Sequence, residues 1–224
     1  MRFTMEKIQF KVGDYYVREV SQDDSDIIEA AKKLRYKVFC RDLKWVDASE
    51  DGKEYDRYDK YAVFFTVLSR TNEIIAFSRI LPSNPYGFMF QNEFRELLDR
   101  KNIENIDFAK IAEISRLTKD PDFSFAKGEE HKVTDYLFKI MYKWSTVHKK
   151  RYWLFCTTEE YLKHLDKSLP IPIHIMGPSK EYQKGVKAWL AMIDLKEAER
   201  AVVLKILKNP LTGALSFFRF FKSK

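Results

Sequence analysis

Apolar side chains that recur at three- and four-residue steps predict the helices of this chain. The first such run covers residues 24–42, and Ser21 or Asp23 is the expected cap at its start. A polar loop follows at residues 46–58. The same kind of spacing predicts a short helix at residues 92–101 and longer helices at 130–150, 159–169 and 196–208.

Segments rich in β-branched and aromatic residues predict the strands. AVFFTVL, the turn SRTNE and IIAFSRIL are typical of a hairpin, which ends at Pro82 and Pro85. We expect further strands at residues 9–20, 111–117, 151–156, 171–176 and 186–195. Strands that come partly as hairpins and partly between helices predict an α+β or α/β three-layer fold, with helices on both faces of a mixed sheet.

The composition indicates one folded body. A chain of 224 residues with 45% hydrophobic and 15% aromatic residues can bury one sizeable core. Because no Pro-, Gly- or Ser-rich linker divides the sequence, we expect a single domain over residues 1–224, with a tail from about residue 210. The two cysteines suggest no disulfide framework, and no apolar run has the length of a signal peptide or a spanning helix. We therefore expect a cytoplasmic protein.

The net charge of +7 bears on the partners of the protein rather than on its fold. Nucleic acid, an anionic membrane and an acidic carrier protein are all compatible with it, as is a role in solubility alone. Lysines and arginines are spread along the chain, and the sequence has no zinc-finger spacing or aromatic RNA-binding signature. Nucleic acid is therefore not an expected partner.

Several kinds of catalytic site are absent from the sequence. The four histidines are scattered without metal-ligand spacing, so no metal site is expected. A G-x-S-x-G elbow, a P-loop and a G-x-G-x-x-G turn are all missing. Cys156 lies in the apolar segment YWLFC, which favours a buried structural thiol over a nucleophile.

Six charged residues stand where charge is costly. They lie on the apolar edge of the first helix, in the second arm of the hairpin, in the segment AEISRL and in the acidic loop before the hairpin. Three arginines and three carboxylates in these places can neutralise one another, although each can also be an independent surface residue. The six are Arg35, Asp56, Asp59, Arg79, Glu113 and Arg116.

The motifs LRYKVFCRDLKW, EYDRYD, SRILPSNPYGFMF and AEISRL together resemble the signature of the acyl-homoserine-lactone (autoinducer) synthases. A fainter resemblance continues in FCTTEEY and IMGPSKEYQKGV, so that it spans about residues 35–195. Eight positions carry it: Arg35, Phe39, Trp45, Asp56, Asp59, Arg79, Glu113 and Arg116.

The resemblance implies a fold and a reaction. The family belongs to the acetyltransferase-like (GNAT) superfamily, in which the middle strands of a mixed sheet splay apart to admit an acyl-pantetheine arm. Its members move a fatty acyl group from acyl carrier protein to the amine of S-adenosylmethionine, and lactonisation then releases methylthioadenosine. No tightly bound cofactor is implied.

The resemblance also assigns the residues nearest to the chemistry. Glu113 is the implied base that takes a proton from the acceptor amine, directly or through water. Ser115 and Arg116 are implied to hold the geometry of the site. In a regular strand Glu113 and Arg116 point to opposite faces, so a shared face requires a bulge in this strand.

The remaining implied roles concern substrate binding. Arg35, Asp56, Asp59 and Arg79 would fix the acceptor and order the loop above it, and Phe39 and Trp45 would wall off its pocket. Thr157 aligns with a threonine that touches the acyl chain in some members. Met141 and Trp144 are candidates to line the acyl pocket, although packing in the core is the alternative for both.

Two features of the sequence bear on the substrates. Coenzyme-A-dependent relatives cradle pyrophosphate in a glycine-rich loop, whereas SRLTKDPDFSFAKGEEHK has Gly128 alone, so acyl carrier protein is the expected donor. Such carriers are acidic and this chain is basic, which favours their encounter. For the acceptor, N-acyl amino acid synthases resemble the same motifs. Trp45 and RILPSNP favour the lactone synthases, while Leu117 stands where those more often have phenylalanine.

A membrane- or partner-binding module without catalysis is the hypothesis from another class. It rests on the C-terminal segment LSFFRFFKSK, whose four phenylalanines and three basic residues are suited to an anionic bilayer. The same phenylalanines can equally pack on the domain or form a tail.

Overall fold

A computed structural model describes residues 6–21, 23–125, 129–168, 171–182 and 185–208 of the chain. These residues divide into two compact units. The first unit comprises Met1–Leu81 and Ser115–Trp144, and the second comprises Pro82–Ile114 and Ser145–Lys224. The prediction of a single domain stays a prediction, and the tail from about residue 210 lies outside the described residues.

Nine strands form one mixed sheet, in the order β1-β2-β3-β4-β5-β6-β9-β7, with β8 also paired to β9. The β5–β6 pair is parallel, whereas β1–β2, β2–β3, β3–β4 and the pairs of β9 are antiparallel. The predicted mixed sheet is therefore confirmed. The strands are β1 Gln9–Val12, β2 Tyr15–Glu19, β3 Val63–Leu68, β4 Ile74–Pro82, β5 Ile111–Lys119, β6 Tyr152–Thr158, β7 His174–Ile175, β8 Lys180–Glu181 and β9 Lys187–Asp194.

Helices flank the sheet close to the places that the sequence predicts. One π-helical segment, Tyr36–Asp42, continues the first α-helix. None of the helices in the described parts of the chain is long and apolar enough to cross a membrane. The α-helices are α1 Ser25–Arg35, α2 Met89–Asn92, α3 Glu129–Val147, α4 Glu159–Ser168 and α5 Leu195–Lys208.

The N-terminal segment of the first unit is a hairpin and not the single strand predicted for residues 9–20. Val12 is paired with Tyr15, which leaves a two-residue turn of Gly13 and Asp14. Gly13 has a φ of 55°, in the left-handed region where glycine pays no steric penalty. Two-residue hairpin turns need this backbone, so V-G-D-Y was the signal for the turn.

The start of α1 also differs from the prediction. Asp24 precedes the helix, in place of Ser21 or Asp23, and its side chain makes no capping hydrogen bond. The Asp24 carboxylate instead accepts hydrogen bonds from Ser21 N at 2.8 Å and from Arg18 Nη2 at 2.5 Å. The helix packs on β3 and β4 through the apolar cluster Val20, Ala31, Leu34, Phe64, Leu68, Ile74 and Phe77.

Two candidates for the acyl pocket lie on α3. Met141 and Trp144 are buried, with 0% and 3% of their surface exposed. The ring of Trp144 meets Phe65 of β3 edge to face, with the ring centres 6.3 Å apart. This contact supports the alternative of core packing for Trp144, and the pocket role of both residues stays a prediction.

In the second unit, the short helix predicted at residues 92–101 is broken. It begins earlier, at Met89, and gives way to 3₁₀ turns at Arg95–Leu97 and Arg100–Asn102. Asp99 N donates to Met176 O at 2.8 Å, which takes this backbone out of a helical ladder. Gly177 permits the contact, because a Cβ there would lie 2.4 Å from Leu97 O.

Strand β5 belongs to both units. Its residues Ile111–Glu113 pair in parallel with Tyr152–Leu154 of β6. β5 continues to Lys119 and β6 to Thr158. The splayed middle pair that the resemblance implies stays a prediction.

Candidate active site

Arg35 is the last residue of α1 and is completely buried. Its Nε donates to Glu54 Oε2 at 2.5 Å, and its Nη1 donates to both carboxylate oxygens of Asp59 at 2.9 and 3.0 Å. Ala31 and Phe39, one helical turn to either side, are buried as well. Arg35 is therefore neutralised by buried carboxylates and is not an independent surface residue.

Arg79 of β4 is the second completely buried arginine. It makes a two-pronged contact with Asp56, in which Nη1–Oδ1 and Nη2–Oδ2 are both 2.6 Å. Nη1 also donates to Asp59 Oδ1, and Nε donates to Ser115 Oγ at 2.8 Å. Planar guanidinium and carboxylate groups fit in this way only in one relative orientation, so the contact fixes the Asp56 loop against β4.

Arg116 of β5 completes the set of arginines. Its Nη2 donates to Glu54 Oε1 at 2.8 Å and to Asp56 Oδ2 at 3.1 Å. The guanidinium also lies over the ring of Phe39, 5.5 Å from its centre. With a φ of 57°, Arg116 has a left-handed backbone that interrupts the alternation of β5. The strand is therefore irregular at Arg116, and the face that Arg116 would share with Glu113 stays a prediction.

Glu54 is the residue of this network that the sequence analysis missed. Only 3% of its surface is exposed, and it binds both Arg35 and Arg116. Its backbone N also donates to Lys32 O in α1 at 3.0 Å. Several acidic side chains crowd the loop, and nothing in their order distinguishes the one that folds inward. We call the six residues Arg35, Glu54, Asp56, Asp59, Arg79 and Arg116 the arginine–carboxylate network.

The charges of this network cancel, three positive against three negative. Burial raises the pKa of Asp56, but Arg79, Arg116 and Arg35 outweigh it and hold the pKa at about 2. Burial likewise disfavours the charge of Glu54, yet Arg116 and Arg35 hold its pKa below the ordinary range. Burial lowers the pKa of Arg79, whereas Asp56 and Asp59 raise it further, so the net shift is upward. The three residues therefore keep their charges at neutral pH.

Phe39 and Trp45 lie in and beside the π-helical segment. Their ring centres are 6.3 Å apart, and Trp45 N donates to Phe39 O at 2.8 Å. Phe39 is buried, while Trp45 is 40% exposed. Leu43 N donates to Val38 O, the i to i−5 bond of a π-helix, a form that recurs at functional sites. The structure thus brings the two aromatic residues together, and Phe39 is the one that lies against Arg116.

Glu113 is described within the second unit, where it lies on β5 with 2% of its surface exposed. Its Oε2 accepts a hydrogen bond from Met89 N at 2.7 Å, and its Oε1 accepts one from Phe90 N at 2.8 Å. These two amides open α2, so the carboxylate anchors the start of that helix. These contacts could not be predicted from the sequence, because their donors are backbone groups.

The charge of Glu113 affects the pKa of Cys156, the cysteine of β6. Burial, together with the negative charge of Glu113, raises the pKa of the Cys156 thiol to about 12. At neutral pH the group is a thiol and not a thiolate, which agrees with the predicted structural role. Thr157 follows it on β6 and is paired with Trp189 of β9.

Comparison with known proteins identifies relatives of this chain. Residues 19–203 match the family described as autoinducer synthase. An acyl-homoserine-lactone synthase of Vibrio anguillarum is 31% identical over 177 residues, which are 76% of this chain and 88% of that protein.

Two solved structures show the same fold at low identity. BjaI, described as a CoA-dependent acyl-homoserine lactone synthase in complex with SAM and isopentyl-CoA, has a TM-score of 0.66 and 16% identity, covering 82% of this chain and 85% of its own. FeeM, an N-acyl amino acid synthase from uncultured soil microbes, has a TM-score of 0.61 and 14% identity, covering 88% and 96%.

Proposed function

Because this chain belongs to the autoinducer synthase family, we propose that it transfers a fatty acyl group from a thioester to the amine of S-adenosylmethionine and forms an acyl-homoserine lactone. The observation that carries the proposal is the arginine–carboxylate network. Five of its six residues are positions of the family resemblance, and the network joins α1, the acidic loop, β4 and β5 into one fixed frame. Glu54 is the sixth.

The network is suited to hold the acceptor rather than to transfer protons. Asp56 keeps its charge far below neutral pH, so it is a poor proton acceptor there. A rigid, neutral frame presents preorganised donors and acceptors to a substrate that carries both an amine and a carboxylate. Phe39, whose ring lies against the Arg116 guanidinium, and the neighbouring Trp45 would close the acceptor pocket.

Glu113 is the proposed base. The acceptor attacks only as a free amine, so one proton must leave its nitrogen as the C–N bond forms and the C–S bond of the thioester breaks. The proton passes through the base to the departing thiolate. In the second step, the carboxylate of the acylated product attacks the carbon bonded to sulfonium sulfur, closes the lactone and expels methylthioadenosine. The hydrogen bonds of Glu113 to Met89 N and Phe90 N would hold its carboxylate in a fixed orientation.

Acyl carrier protein is the proposed donor, with coenzyme A as the alternative. The absence of a glycine-rich loop and the net charge of +7 favour the carrier protein. The coenzyme-A dependence of BjaI keeps the alternative open. With either donor, the pantetheine arm would bind along β6 (Tyr152–Thr158), one of the middle strands that the family resemblance assigns to it.

An amino acid is the second candidate acceptor. It is favoured by the fold shared with FeeM and by the motifs RYKVFC and AEISRL, which suit N-acyl amino acid synthases at least as well. Such a reaction would end at the amide, because a free amino acid has no sulfonium leaving group and cannot form the lactone in this way.

One experiment separates these candidates. The purified full chain is incubated with acyl carrier protein or coenzyme A loaded with fatty acids of several lengths, and with either S-adenosylmethionine or mixed amino acids. Mass spectrometry then identifies the products. We expect acyl-homoserine lactone and methylthioadenosine in equal amounts. If product forms only with amino acids, the acceptor is an amino acid and not S-adenosylmethionine. No acyl transfer to any amine would contradict the proposed function.

A further inference from the structure

Lys37 joins two segments of the first unit that are separated by 83 residues in sequence. It belongs to the π-helical segment, and its Nζ contacts the carboxylates of Asp120 and Asp122, the second at 2.7 Å. Asp120 directly follows β5. The proposed mechanism does not use this contact, although Lys37 stands between Arg35 and Phe39, two residues of the proposed acceptor site.

The two aspartates are fixed by hydrogen bonds of the backbone around them. Asp120 N donates to Ile75 O in β4 at 2.9 Å, which ties the start of this segment to the sheet. Asp122 N donates to Asp120 Oδ1 at 3.0 Å, and Phe123 N donates to Asp120 O at 3.3 Å, so the chain turns here. The carboxylates are therefore anchored to the end of the strand.

The lysine is suited to a stable ion pair. The side chains of Lys37 and Asp120 are only 20% and 26% exposed, whereas that of Asp122 is 70% exposed. Burial disfavours the charge of Lys37, but the hydrogen bonds to Asp120 and Asp122 outweigh it and raise the pKa of the lysine. A partly buried pair is screened less by water and salt than a surface pair, so Asp120 is the stronger of the two partners.

A second contact joins the same two segments. Phe39 lies two residues beyond Lys37, and its ring centre is 5.5 Å from the guanidinium of Arg116. Arg116 lies on β5, four residues before Asp120. Lys37–Asp120 and Phe39–Arg116 are thus neighbouring links between the π-helical segment and the end of β5. Since π-helical turns are rare and recur at functional sites, a contact that stabilises one bears on the site beside it.

We propose that Lys37 is a positioning residue, whose contacts with Asp120 and Asp122 hold the π-helical segment on β5 and keep the acceptor pocket formed before S-adenosylmethionine binds. This inference rests on the proposed function, since it concerns the same acceptor site. The Lys37 ammonium is occupied by two carboxylates, so it acts through Phe39 and takes no part in the chemical step.

The first test measures acceptor kinetics of the purified full chain and of Lys37→Met, which removes the charge of the side chain. The acyl thioester is saturating and S-adenosylmethionine is varied. We expect the KM for S-adenosylmethionine to rise by about threefold to tenfold, because apparent affinity falls with the fraction of protein in the competent state. The kcat should stay within about twofold, because a bound acceptor restores the segment.

The second test needs no substrate. Amide hydrogen exchange of residues 36–45, followed by mass spectrometry, reports how often the π-helical segment opens. We expect exchange about threefold to tenfold faster in Lys37→Met than in the wild type. Lys33→Met is the matched control, because it removes an exposed lysine of α1. It should leave both the KM and the exchange rate unchanged.

Asp122→Asn tests the same link from its other end. It should raise the KM less than Lys37→Met does, because Asp122 is the more exposed partner. In the double variant the KM should be no higher than in Lys37→Met alone, because both changes remove one interaction.

An unchanged KM for S-adenosylmethionine in Lys37→Met would overturn the inference, whatever the exchange rate. A lower kcat with an unchanged KM would also do so, because it would place Lys37 in the chemical step. If the wild type transfers no acyl group to S-adenosylmethionine, the proposed function fails. The exchange rates then decide separately whether Lys37 holds the segment, and equal rates in Lys37→Met and the wild type would overturn that as well.

Discussion

The Arg35 guanidinium and the Glu54 carboxylate meet at 2.5 Å, and both side chains are almost completely excluded from solvent. The same carboxylate binds Arg116, so one acidic side chain holds two arginines from distant parts of the sequence. Buried charge pairs are costly to form and more costly to break, because the partner left behind is an unpaired charge in a dry environment. Glu54 is therefore the residue on which the frame of the proposed acceptor site most depends.

Glu54→Gln should destabilise the protein strongly. The amide cannot neutralise Arg35 and Arg116, and we expect a loss of roughly 3–5 kcal/mol in the free energy of unfolding. Urea unfolding followed by circular dichroism measures it. Glu50→Gln, in the same loop and exposed, is the matched control and should change stability by less than about 0.5 kcal/mol. Equal stability of the two variants would contradict the role assigned to Glu54.

The pH dependence of stability should reveal the ionisation of Asp56. Its pKa is about 2 in the folded protein and near its ordinary value of 3.8 when unfolded. A carboxyl group whose folded pKa is lowered stabilises the protein fully above the unfolded value, and this contribution is lost as pH falls through the folded value. We expect Asp56 to contribute on the order of 2 kcal/mol above pH 4 and to lose it towards pH 2.

Asp56→Asn is the variant that isolates this contribution. Its unfolding free energy should be lower than that of the wild type at pH 6, and the difference should shrink as pH falls from about 4 towards 2. Measurement of Tm at a series of pH values in both proteins checks the sign. A difference that grows on acidification would show that Asp56 is not held as a charged group.

Glu113→Gln should abolish most of the acyl transfer. Loss of a positioned base reduces the rate by about 100- to 10,000-fold, and the acid limb of the pH–rate profile should disappear. The amide also places an NH₂ group opposite Met89 N or Phe90 N, so α2 can be disturbed as well.

Glu113→Asp and thermal unfolding separate the two effects. Aspartate keeps the charge and therefore the acid limb, even where the shorter side chain lowers the rate. If Glu113→Gln retains the acid limb, the residue anchors α2 and another group is the base. Native-like Tm values in both variants would show that the loss of rate does not come from unfolding.

Removal of the C-terminal segment tests the membrane hypothesis. That segment lies outside the described residues, so the hypothesis rests on its four phenylalanines and three basic residues. The full chain and a version ending at Asn209 are pelleted with vesicles that contain anionic lipid. Membrane contact through the tail predicts that truncation reduces pelleting and that high salt does so as well. Equal pelleting of the two chains would exclude the tail as the contact.

The sequence predicted the elements whose signal is local and periodic. The β3–β4 hairpin and helices α1, α3, α4 and α5 lie within a few residues of their predicted positions. The two incorrect predictions have different causes. The helix at residues 92–101 is broken by a non-local contact, because Asp99 N binds Met176 O, whereas the first hairpin depends on a local turn at Gly13 whose signal V-G-D-Y is present in the sequence.

The site was predictable to the extent that charge in an apolar context is informative. Arg35 and Arg79 stood out because they interrupt buried faces, and both are buried and paired. Glu54 did not stand out, because an acidic residue in an acidic loop looks ordinary until tertiary contacts bury it.

The arginine–carboxylate network also bears on how the chain reaches its native state. Its members are far apart in sequence: Arg35 and Glu54 are separated by 19 residues, and Glu54 and Arg116 by 62. Contacts between such distant residues carry the entropic cost of closing the loop between them, so we expect them to form after the local contacts of the helices and hairpins. We therefore expect the network to be absent from the folding transition state. Its contacts would then mainly lower the unfolding rate, which would give the protein a long native lifetime.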